Sequence, residues 1–406
     1  MRRPELLLPA GNLEKLRTAV LYGADAVYAG VAGLSLRAAS AEMSPDDLAA
    51  GIACAHTSGV RVYAALNTFA RDRDLENARR VLPCVVAAGV DAFIVSDPGL
   101  IRLIRNLAPQ IPLHLSTQAN TTNAEAVRFW RDQGVERIIL ARELNLAEVE
   151  AIARAVPDVE LEIFIHGAMC MAYSGRCYLS AWRNGRSANA GDCTQPCRWE
   201  YILHESTRPD EPLLLTEDER YSYLLSSKDL CLLPHLPRVL ETGVAAVKVE
   251  GRMKSSYYTA AVARIYRQAL DALVAEGADY VCRPEWMEEL QKVSHRGYTT
   301  GFAFAQEKIN ETSPRIKSLQ THEPAGVVLE YHSDSRQLRI DVRNLLRAGD
   351  DVELLLPRDV VPVDTRPMTG EQGEVLERAH AGNRIFLAFD RPVPRGALLR
   401  KKILSP

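Results

Sequence analysis

One phrase recurs along this chain: a glycine, a residue or two, then a short run of β-forming side chains. It reads "YGADAVY" at 22–28, "SGVRVYA" at 58–64, "AGVDAFI" at 88–94, "QGVERII" at 133–139 and "TGVAAVK" at 242–248. A glycine there suits a helix C-terminus, because it takes the left-handed conformation that ends a helix before a strand. Adding the runs that lack that phrase gives eight in all: 5–11, 26–30, 61–67, 92–97, 112–118, 137–143, 161–167 and 245–251. Between them lie stretches with helical spacing of apolar residues, such as "NLEKLRTAVLYG", "LENARRVLPCVVAAG" and "LAEVEAIARAV". Eight strands alternating with helices predict an α/β fold, a parallel (β/α)8 TIM-like barrel. The rival is an open doubly wound sheet. That fold usually carries a glycine-rich dinucleotide turn after its first strand, and "LLLPAGNLEKL" is not one.

In such a barrel chemistry sits at the C-terminal ends of the strands. Those ends carry Asn67, Asp97, Gln118, Arg142, Glu143, His166, Glu250 and Arg252. A polar ring of this kind suits a small polar substrate, although any one member could equally cap a helix or pair with a neighbour. Behind the last strand, "VEGRMKSSYY" packs Glu250, Arg252 and Lys254 together, with Arg252 placed to grip a carboxylate or phosphate at two points. The last barrel helix is expected over "SSYYTAAVARIYRQALDALVAEG", and the barrel over residues 1–277.

Residues 167–244, between the seventh and eighth strands, far exceed an ordinary strand-to-helix loop. An insertion is expected over 168–228, at the catalytic mouth, with "SSKDLCLLPHLPRVLETG" as the helix behind it. The insertion holds four of the chain's eight cysteines, Cys170, Cys177, Cys193 and Cys197, spaced C-x6-C-x15-C-x3-C among Gly, Ser, Asn and Arg. Structural zinc uses four thiolates too, but through short knuckles at both ends, and only the Cys193–Cys197 pair is close. An iron–sulfur cluster tolerates irregular spacing, since four thiolates need only converge on its corners. Burial as small apolar groups explains Cys54 and Cys84, which sit in apolar helical stretches, better than it explains these four. Cys231 is a spare ligand by position, yet lies on an apolar helix face as read from "DLCLLPHL"; Cys282 has nothing to recommend it. A thiol peptidase could pair Cys170 with His166 but leaves three cysteines unexplained. Neither a Gly-x-Ser-x-Gly elbow nor a His-Glu-x-x-His helix occurs.

Residues 278–318 read as a linker, crossed by "SHRGYTTGFAF", and residues 319–406 as a small antiparallel β-barrel domain built of alternating runs broken by turns. The formal net charge of −3 gives no global basic field, so a nucleic-acid partner would need a local patch. No apolar run reaches membrane-spanning length and the N-terminal run is too short for a signal peptide. A cytoplasmic location without membrane contact is expected, where clustered cysteines serve metal or redox chemistry.

Together these stretches resemble a known family. "EIFIHGAMCMAYSGRCYLS" is similar to the signature of peptidase family U-32, the collagenase-like peptidases, and "LLLPAGN", "GADAVYAG", "SSKDL", "VKVEGRMKSSYY" and "SHRGYTTGF" support the likeness. The resemblance covers the barrel and linker; the C-terminal domain matches by position and β character. Within that family several branches are iron–sulfur-dependent hydroxylation proteins. One forms 5-hydroxyuridine at the tRNA wobble position with prephenate as required metabolite, one acts on a 23S rRNA cytidine, and one serves ubiquinone hydroxylation. "GDCTQPCRWEY" and the C-terminal domain look most like the tRNA branch. The resemblance implies Cys170, Cys177, Cys193 and Cys197 as ligands of a 4Fe–4S cluster, with Cys231 as the alternative to one of them. It implies tRNA, through its anticodon loop, as partner, since bases there are already partly unstacked.

Tyr173, Tyr178, Trp182 and Trp199 could stack on bases, and Arg176, Arg183, Arg186 and Arg198 could hold phosphates; shielding the cluster and offsetting its charge would explain them equally. Arg252, Lys254, Glu250, His166, Gln118, Asn67 and Arg176 are the candidate substrate-binding residues, Arg252 and Lys254 for the prephenate carboxylates or a tRNA phosphate. No residue is assigned to proton transfer, and the oxygen source and electron-transfer partner are not specified by sequence. A peptidase, a hydroxylase of ribosomal RNA and a non-catalytic iron–sulfur partner protein are the alternatives.

Overall fold

A computed structural model describes residues 3–35, 42–169, 228–304 and 319–403, and within the insertion 172, 176–177, 179–186, 189, 193–194 and 196. Eight parallel strands close on themselves: β1 (Glu5–Ala10), β2 (Ala26–Val31), β3 (Arg61–Leu66), β4 (Ala92–Val95), β5 (Leu113–Leu115), β6 (Arg137–Ile139), β7 (Glu160–Ala168) and β8 (Ala246–Val249). β8 pairs with both β7 and β1, which closes the barrel. All eight lie within the runs expected from sequence or within a residue of them. The five phrase glycines, Gly23, Gly59, Gly89, Gly134 and Gly243, have φ of +100°, +69°, +85°, +78° and +79°. Each therefore ends a helix in the left-handed region that disfavours a side chain.

The barrel helices are α1 (Leu13–Leu21), α2 (Pro45–His56), α3 (Asp72–Ala87), α4 (Pro98–Leu107), α5 (Ala124–Asp132) and α6 (Leu146–Ala155), followed in the insertion by α7 (Leu179–Asn184), then α8 (Leu236–Glu241) and α9 (Ser256–Glu276). Side chains of Asn12, Ser44, Asp97, Asn123, Asn145 and Ser255 cap six of them. Asp97 is thus a helix cap, accepting from the Leu100 N–H, and leaves the polar ring.

Two expectations are revised. The stretch expected as one helix over 226–243 begins as a strand, Asp229–Cys231, antiparallel to the end of β7, and only then turns into α8. Its "PHLP" prolines delay the helix. The expected linker is no bare connection over its described residues: helix α10 (Pro284–Gln291) buries Trp286 and Leu290 in the barrel's outer core, and Tyr298–Thr299 pairs with Asp229–Leu230. Residues 305–318 lie outside the described residues.

The C-terminal domain is antiparallel, a seven-stranded sheet with a two-stranded ribbon around one core that includes Val328, Leu338, Ile340, Leu354, Ile385 and Leu399. It is fastened to the barrel. Arg400, fully buried, bonds both Glu289 oxygens at 2.8 and 2.9 Å and Glu353 at 2.7 Å, while the Tyr22 hydroxyl donates to the Leu355 carbonyl.

Candidate functional site

The C-terminal mouth of the barrel holds a concavity of about 410 Å³, open in part to solvent. Tyr28, Asn67, Ser116, Gln118, Arg142, Phe164, Lys248, Glu250 and Arg252 line it, with Ala65, Ile94 and Ile139 supplying apolar wall. Asn67, Gln118, Glu250 and Arg252 come together there, as the strand ends suggest. On one side Asn67 donates from Nδ2 to Gln118 Oε1 at 3.1 Å, and the Ser116 hydroxyl bonds the same oxygen. On the other, Arg252 is 3% exposed and donates from Nη1 to the Ser35 hydroxyl at 3.0 Å.

His166 and Lys254 do not line this space. Along β7 the residue opposite Lys248 is Phe164, whereas Val249 is opposite His166, so one extra residue is accommodated at Ile165. Such a bulge reverses which face the following side chain takes. Phe164 points at the cavity and His166 packs behind it, 1% exposed, with Nδ1 3.3 Å from the Tyr266 hydroxyl and the rings of Tyr258 and Tyr298 nearby. Burial in that aromatic nest holds its pKa down to about 3, so the imidazole is neutral. Lys254 turns the same way, donating to the Ser294 carbonyl at 2.9 Å and lying 3.8 Å from Asp229. Gly167, at φ +110°, permits the tight junction: a Cβ there would sit 2.6 Å from the Glu250 carbonyl oxygen.

Lys248, Tyr28, Ser116 and Phe164 join the lining without having been singled out from sequence. Lys248 carried a signal, because on a strand it shares a face with Ala246 and Glu250. Its ammonium bonds Glu162 at 2.9 Å and lies 4.3 Å from the centre of the Tyr28 ring. Burial lowers its pKa, and the Glu162 carboxylate opposes that.

Below Lys248 the barrel interior is an ion-pair layer. Arg137 reaches Glu5 at 2.7 Å, Glu160 at 2.6 Å and Glu162 at 3.5 Å; Arg61 also pairs with Glu5, and the Tyr63 hydroxyl donates to it. His114 is wholly enclosed against Tyr63, its Nδ1 unpartnered, and burial keeps it neutral.

The cysteine insertion touches the cavity wall. Arg176 donates from Nε and Nη2 to the Gln118 carbonyl at 3.0 and 2.7 Å and stacks 5.4 Å from Phe69. Its neighbour Cys177 is thereby held at the rim, its N–H donating to Asn189 at 3.1 Å. Ser180 and Thr194 bond each other through their hydroxyls at 3.0 Å, and Ser180 also accepts the Thr194 N–H. The segments of Cys177 and Cys193 therefore lie side by side. Cys170 and Cys197, with Tyr173, Tyr178, Arg198 and Trp199, fall outside the described residues. Among the described residues no cluster of three metal-ligating side chains forms. Two thiols on segments held together fit half of a four-thiolate donor set.

Cys231 differs from them. It is 4% exposed, opposite His166 in the strand pairing, with its thiol 3.8 Å from the Tyr266 hydroxyl, and burial pushes its pKa up to about 11. That is the environment of a packed thiol. Trp182 on α7 is 75% exposed, flanked by exposed Arg183 and Arg186.

Residues 11–313 match the model of peptidase family U32, and residues 320–400 match that of the peptidase family U32 C-terminal domain. The chain belongs to peptidase family U32. Among curated U32 relatives, tRNA hydroxylation protein P1 of Bacillus subtilis is 38% identical over 98% of this chain and 95% of its own length. A 23S rRNA 5-hydroxycytidine synthase of Escherichia coli is 38% identical over 91% of this chain and 55% of its own. A protein named collagenase from Porphyromonas gingivalis is 32% identical over 96% of this chain and 95% of its own length. No helix among the described residues is long and apolar enough to cross a membrane.

Proposed function

We propose that this U32 protein hydroxylates RNA, that its substrate is the tRNA wobble uridine, converted to 5-hydroxyuridine, and that prephenate is the required small metabolite. The observation that carries this reading is the grip of Arg176 on the Gln118 carbonyl, which sets Cys177 beside a cavity built of strand-end polar groups. Cofactor and substrate pocket then share one rim. In support stand the full-length similarity to a tRNA hydroxylation protein and the shared U32 C-terminal domain.

Cys170, Cys177, Cys193 and Cys197 would hold the 4Fe–4S cluster, and the packed environment of Cys231 favours Cys197 as the fourth ligand. When bound, such a cluster supplies one-electron transfer. The chain's own residues do the rest. Exposed Trp182, with Arg183 and Arg186, offers a stacking face and phosphate contacts to a single-stranded loop. Arg252 and Glu250 line the cavity that would take the small ligand, and Asn67 and Gln118 present amides to it. The tRNA would arrive in solution, in the cytoplasm, with a separate electron donor.

A peptidase remains as the second reading because a collagenase is among the relatives. Expression in a host stripped of its own U32 proteins separates the two. The proposal expects 5-hydroxyuridine-derived nucleosides in the tRNA fraction by mass spectrometry, and iron with sulfide in the anaerobically purified protein. Hydroxycytidine in ribosomal RNA alone would move the substrate to the ribosome. A metal-free protein that cleaves gelatin and leaves both RNAs unmodified would establish the peptidase.

A further inference from the structure

Among the described residues three cations line the mouth cavity, Arg142, Lys248 and Arg252, against a single acid, Glu250. Their circumstances differ. Lys248 has its counter-ion beneath it in Glu162, at 2.9 Å. Arg252 is anchored through Ser35. Arg142 spends one nitrogen on the Ala168 carbonyl, at 2.9 Å, and lays its guanidinium 3.9 Å from the centre of the Phe164 ring. Its Nε is buried and unpartnered among the described residues, and no carboxylate there pairs with it. A guanidinium lying over an aromatic ring, with no carboxylate partner among the described residues, is a prepared site for a planar oxyanion.

We propose that Arg142 is the specificity-determining residue of the cavity and that it receives the carboxylate of a small ligand whose hydrocarbon body lies against Ile94 and Ile139. This rests on the reading above that the cavity takes a small carboxylate metabolite, and moves its recognition from Lys254 to Arg142. Arg142 and Phe164 also form the partition to an adjoining, mostly apolar cavity that includes Leu144, Ile163, Leu230 and Phe302. Truncating Arg142 to alanine would merge the two spaces, so the informative changes keep its length.

Titration calorimetry on the intact, anaerobically purified protein tests this with prephenate and uridine 5′-monophosphate as probes. The wild type is expected to bind prephenate, Arg142→Gln to weaken it at least about tenfold, as loss of a charge-assisted hydrogen bond implies, and Arg142→Lys to fall between. Melting temperatures without probe should match the wild type; if Arg142→Gln does not fold, Arg142→Lys carries the comparison. Unchanged prephenate affinity in the folded variants, no prephenate binding by the wild type, or binding of the nucleotide alone would overturn the proposal. Arg142-dependent prephenate binding in a protein that leaves host RNA unmodified would sink the RNA reading and leave this one standing. Normal RNA hydroxylation with unchanged binding in Arg142→Gln would do the reverse.

Discussion

At the floor of the barrel, Arg137, Arg61 and, from above, Lys248 pair with Glu5, Glu160 and Glu162, and the Tyr63 hydroxyl completes the layer. At the mouth, Arg142 and Arg252 stand with Lys248 around an open space and share one glutamate among the described residues of its lining. The same residue types do different work at the two ends because one set is balanced and the other is not. Balanced, buried charge is a structural plug, strongly coupled and costly to break. Cations left in excess around a cavity are an invitation to an anion. Lys248 joins the two, bonded downward to Glu162 and exposed upward to the cavity lining.

Breaking the floor should have the largest effect on stability. Arg137→Ala leaves Glu5 to Arg61 and Tyr63 and Glu162 to Lys248, with negative charge in excess in the interior, a loss of roughly 3–5 kcal/mol that lowers Tm on the order of 10 °C in thermal denaturation. Whatever fraction stays folded should bind prephenate normally, since Arg137 is not on the cavity lining. A large affinity loss with unchanged Tm would show that the floor is part of the site. Arg252→Ala should give the opposite profile. Prephenate affinity is expected to fall about tenfold or more by calorimetry, with a smaller change in Tm than Arg137→Ala causes.

A third and smaller effect concerns the histidines, one at each end. His114 and His166 are both kept neutral by burial, so their folded pKa values lie below the unfolded value near 6.5. The unfolded chain binds protons that the folded one refuses, so stability is full above about pH 6.5 and falls as the pH drops towards the folded pKa. For His166 alone, with a folded pKa of about 3, the loss between pH 7 and pH 5.5 is about 1 kcal/mol. Tm measured across that range should drop by a few degrees, and His166→Asn should flatten part of the slope. A Tm independent of pH in that interval would mean that neither ring is neutral in the folded state.

Much of this architecture is legible in the chain itself. The left-handed glycines before the strands report backbone geometry that no distant contact alters, and so five of the eight strands announce themselves. The polar strand ends Asn67, Gln118, Glu250 and Arg252 meet at one cavity for a similar reason: closing a barrel forces strand ends to one rim. His166 faces away from the cavity because a single extra residue at Ile165 turns its face, and a bulge leaves no local mark in "IFIHG". Lys254 turns from the cavity because its carbon stem reaches Ser294, in a segment that reads as a linker, and Asp229, in a strand that reads as the start of a helix. Lys248 was visible by alternation with Glu250 but hidden by its place inside an otherwise apolar run. In the insertion, spacing suggests a cofactor, and the Arg176 contact, invisible in the sequence, sets Cys177 beside the cavity.

The contrast between Cys177, at the cavity rim, and Cys231, sealed in the core, leads to the most direct test of the whole account. The host lacking its own U32 proteins is complemented with Cys177→Ser or Cys231→Ser, and tRNA nucleosides are quantified by mass spectrometry. Cys177→Ser should abolish 5-hydroxyuridine-derived nucleosides and Cys231→Ser should retain them. Wild-type levels from the Cys177→Ser strain would contradict the assignment of this insertion as the cofactor site.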